Sequence, residues 1–241
     1  MATATFLGTG NYLTPGRYWN SFVLDGRVLV EPSPTVLPHL RRCGIPAADL
    51  DVVVISHFHP DHTFGWPFLL LEMVRTRRAE QPLSVVGPPG VRQFLADMMA
   101  LGSVTDITTA AHEHLDVRYV EVDGTWQEAG ALRFRAVEVE HVPHLRCFGY
   151  VMELEGRRVG YSGDVHLCSG LEELAGACDV LVLECNGPHP PPVTHMDTKS
   201  VEALRRKFPD VPFVLTHLGE GVDGGGIPDV ITPEDFDTLT L

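Results

Sequence analysis

An apolar run, Val52-Val-Val-Ile-Ser56, leads directly into His57-Phe-His59-Pro-Asp61-His62, and this junction constrains the chain more than any other segment. Alternate residues of a strand share a face, so His57 and His59 can point the same way as the strand turns. Asp61 and His62 lie past Pro60, where they can serve a second ion. Neutral imidazole nitrogens are good ligands for zinc and its neighbours among the divalent metals, and a carboxylate suits harder cations. Single histidines are commonly surface or satisfied core residues, and this chain has 12 of them. Three within six residues, joined by an aspartate at the end of an apolar strand, read instead as ligands.

Around that junction, short β-type runs alternate with fewer helical stretches. Runs rich in Val, Ile, Phe and Tyr predict strands at Ala4–Leu7, Ser21–Leu24, Arg27–Val30, Val52–Ser56, Leu83–Val86, Val117–Val122, Leu132–Glu140, Gly149–Glu153, Val159–Tyr161, Val180–Leu183 and Phe213–Thr216. Helices are expected at Pro34–Arg42, Phe68–Arg78, Gly90–Ala100 and Thr198–Lys207, the last with Thr198 as N-cap. Pro188–Pro192 and Gly224–Gly226 look like irregular loops. The order suits two packed sheets with helices outside. No composition shift marks a boundary within the 241 residues, so one domain over 1–241 is expected.

The His-x-His-x-Asp-His pattern after an apolar strand resembles the metallo-β-lactamase superfamily. That resemblance implies an α/β fold, a four-layer αββα sandwich with metals at one edge between the sheets, and further ligands at later strand ends. His141, closing Leu132–Glu140 and preceding Gly149-Tyr150, fits the next ligand, with His144 as a competitor three residues on. Tyr161-Ser-Gly-Asp164 fits the carboxylate that bridges two ions. Phe213-Val-Leu-Thr-His217 fits the last ligand, the second-metal partner of Asp61 and His62. The implied cofactor is a pair of divalent ions, zinc first, with manganese or iron as alternatives, roughly 3.5–4 Å apart.

Two further features resemble the ribonuclease Z and phosphodiesterase branch. One is the opening Phe6-Leu-Gly-Thr-Gly10. The other is Thr194-His195-Met196-Asp197, which puts a histidine just before the helix that precedes His217. In that branch such a histidine lies near the metals, where it can hydrogen-bond a phosphate oxygen or help protonate the leaving group. Asp61 and His195 are therefore the expected catalytic pair, Asp61 also orienting the attacking water. The tRNA-processing members carry an extended arm, and no Gly-rich or basic excursion stands between the metal motif and Leu132. The balance of 18 Lys+Arg against 32 Asp+Glu, a formal charge of −14, also disfavours a polyanionic partner, so tRNA is not expected.

The expected function is metal-dependent hydrolysis by a dinuclear centre, as a phosphodiesterase of a small or nucleotide-like substrate. The alternatives are a lactone, ester or thioester hydrolase and, from another class, a metal-dependent oxygenase or a non-catalytic metal-binding protein. Asn11–Asn20 with Tyr18 and Trp19, Trp66–Phe68, and Cys185–Pro192 are candidate substrate walls. His144, His166 and His189 have no assigned role. Five cysteines without a C-x-x-C pair suggest reduced thiols, and Met1–Gly8 lacks the pattern of a secretory leader, so a cytoplasmic location is expected. No apolar stretch approaches the roughly 18 residues of a membrane span. A homodimer is compatible with the sequence.

Overall fold

The computed structural model describes residues 2–77, 81–102, 105–187, 194–222, 227 and 229–241. The N-terminal half builds one sheet from β1 (Thr3–Gly8), β2 (Ser21–Leu24), β3 (Val28–Val30), β4 (Val52–Val54), β5 (Leu83–Gly87) and β6 (Val117–Glu121). The C-terminal half builds a second from β7 (Trp126–Ala129), β8 (Leu132–Val139), β9 (Cys147–Leu154), β10 (Arg157–Tyr161), β11 (Val180–Glu184), β12 (Phe213–Thr216) and β13 (Val230–Ile231). The last strand, β14 (Thr238–Thr240), returns to the first sheet and pairs antiparallel with β1. The resulting orders are β14-β1-β2-β3-β4-β5-β6 and β13-β12-β11-β10-β9-β8-β7.

Period-2 alternation explains the layering. Val52 and Val54 of β4 join Phe6, Phe22, Phe134, Tyr150 and Tyr161 in the core between the sheets. Val53 faces the other way, into a layer with Leu40 of α1 (Val36–Arg42), Leu69 and Met73 of α3 (Trp66–Thr76), and Leu95 of α4 (Val91–Leu101). The short α2 (Pro60–Thr63) separates β4 from α3. On the second sheet, Val180 and Val182 point inward. Leu181 and Leu183 meet Leu171 and Leu174 of α6 (Ser169–Gly176) and Val201 and Leu204 of α7 (Thr198–Lys207). Strands buried on both faces read as continuous apolar runs, which is why β4 and β11 stand out in the sequence. The αββα sandwich is thus the observed fold.

Several elements carry no strong sequence pattern. Helix α5 (Thr105–His114) is mostly polar, contributing Ala111 to the core beside Leu115 just after it. Helix α6 is eight residues long with glycines near both ends, and β7, β13 and β14 are short edge or near-edge strands. Strand β8 ends at Val139, one residue earlier than expected, and the N-cap of α7 is Asp197 rather than Thr198, its Oδ1 accepting from Ser200 N at 2.7 Å. The two stretches expected as irregular loops, Pro188–Pro192 and Gly224–Gly226, lie outside the described residues. So does Arg78. Among the described residues no helix is long and apolar enough to cross a membrane.

Candidate metal centre

Strands β3 and β4 are parallel, as are β10, β11 and β12, and their C-terminal ends emerge at one edge of the sandwich. Ligand sites in open sheets gather where the carboxyl ends of parallel strands leave the sheet. Here that edge collects His57 and His59 after β4, Asp61 and His62 on α2, His141 after β8, Asp164 after β10 and His217 after β12. All seven residues expected to hold metal or position water are brought together. His57, His59, His141 and Asp164 form one group, and Asp61, His62 and His217 another, each with its candidate ligand atoms within 4.8 Å of one another.

Asp164 lies between the two groups. Its Oδ2 is 3.8 Å from His57 Nε2, 3.8 Å from His141 Nε2 and 3.6 Å from His217 Nε2, while Oδ1 is 3.3 Å from His62 Nε2. In the first group His59 Nδ1 stands 2.9 Å from His57 Nε2 and 3.4 Å from His141 Nε2. Such spacings suit the edges of a tetrahedron of roughly 3.3 Å around one ion with ligands at ~2.0 Å. In the second group Asp61 Oδ2 is 3.5 Å from His62 Nε2 and 3.6 Å from His217 Nε2.

Outer contacts aim the rings. His141 Nδ1 lies 2.6 Å from the Thr194 carbonyl, which can only accept, so Nδ1 carries the proton and the Nε2 lone pair faces the cluster. His57 Nδ1 lies 2.9 Å from Ser56 Oγ, a hydroxyl that can donate or accept, and this contact orients the ring with Nε2 toward the cluster. Gly163 makes the turn into Asp164 at φ 61, where an added Cβ would stand 2.8 Å from Ser56 Cβ. His217 itself sits at φ 48, a left-handed conformation a non-glycine residue adopts only at a cost.

The electrostatics suit divalent cations. Burial, with the neighbouring His62, pushes the His57 imidazole well below its usual pKa, and burial also lowers His59 and His141. These rings are therefore neutral donors near pH 7. Burial opposes ionisation of Asp164 and Asp61, yet the surrounding histidines hold both carboxyls far below the usual range. The two carboxylates in turn raise His62 well above the imidazole range against the effect of burial, so the centre draws positive charge. Both ring nitrogens of His62 and of His217, and Asp164 Oδ1, are buried without a hydrogen-bond partner. Unpaired buried polar atoms cost roughly 1–3 kcal/mol each, and coordination to divalent ions would satisfy Asp164 Oδ1 and the one nitrogen of each ring, Nε2, that faces the cluster. The donor set fits the metals that the fold implies.

A family model described as the β-lactamase superfamily domain matches residues 26–218. The chain belongs to that superfamily. A ribonuclease Z of Mycobacterium marinum is 31% identical over 195 residues, spanning 76% of this chain and 70% of that protein, which puts the chain on the ribonuclease Z-like branch of these metal-dependent hydrolases. Two solved structures share the fold. Human tRNase Z, short form, superposes with TM-score 0.76 at 22% identity, covering 99% of this chain and 98% of that one. A diphosphatase from the PhnP family superposes with TM-score 0.78 at 19% identity, covering 100% and 98%.

The superfamily site here has parts beyond the seven residues. His195 Nδ1 lies 2.9 and 3.1 Å from the two carboxylate oxygens of Glu184, and its ring centroid is 4.7 Å from that of His141. Glu184 is fully buried at the end of β11 and also accepts from Val165 N at 2.6 Å. Glu31, fully buried at φ 58 after β3, accepts from Ser56 N at 3.1 Å and approaches His62 Nδ1 to 3.6 Å. Sequence reasoning missed both glutamates. Their signal is the one His57, Asp164 and His217 share, a polar residue directly closing or following an apolar strand. His144 is exposed and outside the cluster, and His166 pairs with Glu140 at 3.4 Å. His189 lies outside the described residues.

The candidate substrate walls divide. Trp19 and Phe68 line a cleft of about 660 Å³ that opens on His59 and Asp61. Trp66 is buried in the helical layer, and Tyr18 packs on His39 and Phe236 instead. Gly8 and Gly10 of the opening motif serve packing, since a Cβ on Gly8 would stand 2.2 Å from the Trp19 carbonyl, while Gly10 bridges to Leu218 beside His217.

Proposed function

We propose that this protein is a dinuclear metal-dependent phosphodiesterase acting on a small or nucleotide-like substrate. His57, His59 and His141 would hold one ion, Asp61, His62 and His217 the other, and Asp164 would serve both. Zinc is the leading candidate for both positions. Asp164 supports the shared role because its two oxygens face both histidine groups, and an anion between two cations offsets their mutual repulsion. When bound, the ions would polarise a phosphoryl oxygen and make water a nucleophile near neutral pH.

The observation that carries the phosphodiester reading is the Glu184–His195 pair beside that centre. Alkoxide leaving groups need a proton, and His195 in its imidazolium form can donate from Nε2 while Nδ1–H stays on Glu184. Burial lowers the His195 pKa, which makes its imidazolium a stronger acid toward the departing oxygen. Glu184, its carboxyl pushed well above the usual range by burial and by the nearby Asp164, fixes the orientation of the ring, and Asp61, held ionised, is an acceptor able to orient the attacking water. The formal charge of −14 favours a small substrate over tRNA.

Replacing His195 with Ala tests the reading on a series of phosphodiesters with graded leaving groups. Metal content should be retained, and turnover should fall by about 10²–10⁴ for alkyl esters and far less for 4-nitrophenyl esters. Equal losses across the series would remove the proton-donor role. Rapid lactone or thioester hydrolysis with no diester cleavage would overturn the substrate class.

A further inference from the structure

The cleft above the cluster differs in character from the centre it opens on. Tyr12, Trp19, Phe64 and Phe68 form its walls, and Tyr12, Phe64 and Phe68 are 60%, 50% and 60% exposed. Large rings left in water in one patch beside a polar centre mark a ligand groove, and about 660 Å³ is enough for a medium-sized organic group. Among the described residues, no Lys or Arg lines it. Arg17 is engaged by Thr9, the Pro233 carbonyl and Glu234, and Arg41 pairs with Glu72. Bases could stack on these rings, but each further nucleotide would bring a phosphate into a cleft where, among the described residues, the only charged wall group is the Asp61 carboxylate.

Two residues of the metal cluster, His59 and Asp61, line the cleft, whereas His195 does not. An ester group seated here is therefore not the one whose oxygen His195 protonates. On the phosphodiesterase reading above, we propose that this cleft holds the group that stays on phosphorus, and that this group is an apolar aryl or alkyl moiety rather than a further nucleotide.

The test keeps the leaving group constant and varies the retained one. Methyl, hexyl and 2-naphthyl 4-nitrophenyl phosphates, and a dinucleotide, are offered to the zinc-loaded protein. In parallel, methyl and 2-naphthyl phosphate monoesters are titrated in by calorimetry. KM for the naphthyl ester should be about tenfold below that for the methyl ester with kcat changed little, and the monoester Kd values should differ by a similar factor. In the double variant F64A/F68S, whose substituted side chains are exposed, both ratios should collapse toward one. A KM independent of the retained group, a ratio that survives in the variant, or a preference for the dinucleotide overturns the cleft assignment and leaves the phosphodiesterase reading standing. Hydrolysis of none of the esters removes that reading. The calorimetric ratio then decides whether the cleft selects an apolar group, and a ratio near one sinks that too.

Discussion

Gly163→Ala should destabilise the protein by about 3 kcal/mol and weaken its hold on metal. The residue sits at φ 61, where an alanine costs roughly 1–2 kcal/mol. The new Cβ would stand 2.8 Å from the buried Ser56 Cβ and 3.0 Å from the Phe148 backbone carbonyl oxygen. Overpacking of that kind adds about 1–3 kcal/mol. For a chain of this size the sum corresponds to a fall in Tm of about 6–12 °C. Relief of the clash would move Ser56, whose hydroxyl holds His57 Nδ1 at 2.9 Å, so zinc affinity should drop at least about tenfold along with stability. Gly124→Ala is the control, with φ 82 and nothing within 4 Å of the added Cβ. It carries the dihedral cost alone, about 1 kcal/mol, and no metal effect. Differential scanning calorimetry and competitive zinc titration read both quantities. A Gly163→Ala protein within about 2 °C of its parent, with unchanged zinc affinity, would refute the argument that this turn sets the Ser56–His57 geometry.

Two other outcomes follow from the same geometry. His141→Ala should lose metal on dialysis while His144→Ala keeps it, as read by elemental mass spectrometry, and the reverse pattern would show that the exposed ring is the ligand. Burial pushes the thiols of Cys147, Cys178 and Cys185 up to about 12, so at pH 8 their thiolate fraction falls from about one in ten to about one in ten thousand. Iodoacetamide should therefore label the half-buried Cys43 and Cys168 first in the native protein, and equal labelling of all five would contradict the packing.

The layers and the ligand edge were legible in the sequence for one physical reason. A strand covered on both faces is a continuous apolar run, and a polar residue that ends it must lie at the sheet edge. That logic located His57, and the family resemblance then pointed to the strand ends that carry Asp164 and His217. It applies equally to Glu184 after Val180-Leu-Val-Leu, but a lone glutamate at a strand end looks like an exit to solvent. Its burial depends on His195 and Val165, brought close by the turn after β10 and the approach to α7. Glu31 is hidden for the same reason, since its partner Ser56 is 25 residues away. Helix α5 carries only three apolar residues, Ile107, Ala110 and Ala111, in its ten, too few to make an amphipathic stripe in the sequence. Tyr18 and Trp19 are neighbours in the chain, yet one packs on the C-terminal segment and the other faces the cleft, a division no local pattern specifies.

The shared role of Asp164 is the claim on which the proposed chemistry depends, and counting metal ions in the parent and in Asp164→Asn tests it directly. Zinc-saturated parent protein should carry two ions per chain, because both groups of ligand atoms are complete. The Asn variant keeps the shape but removes the anion that faces His57, His141, His62 and His217, so it should retain at most one ion under the same dialysis. One ion or fewer in the parent, or two held equally well by the variant, would contradict a dinuclear centre built on Asp164.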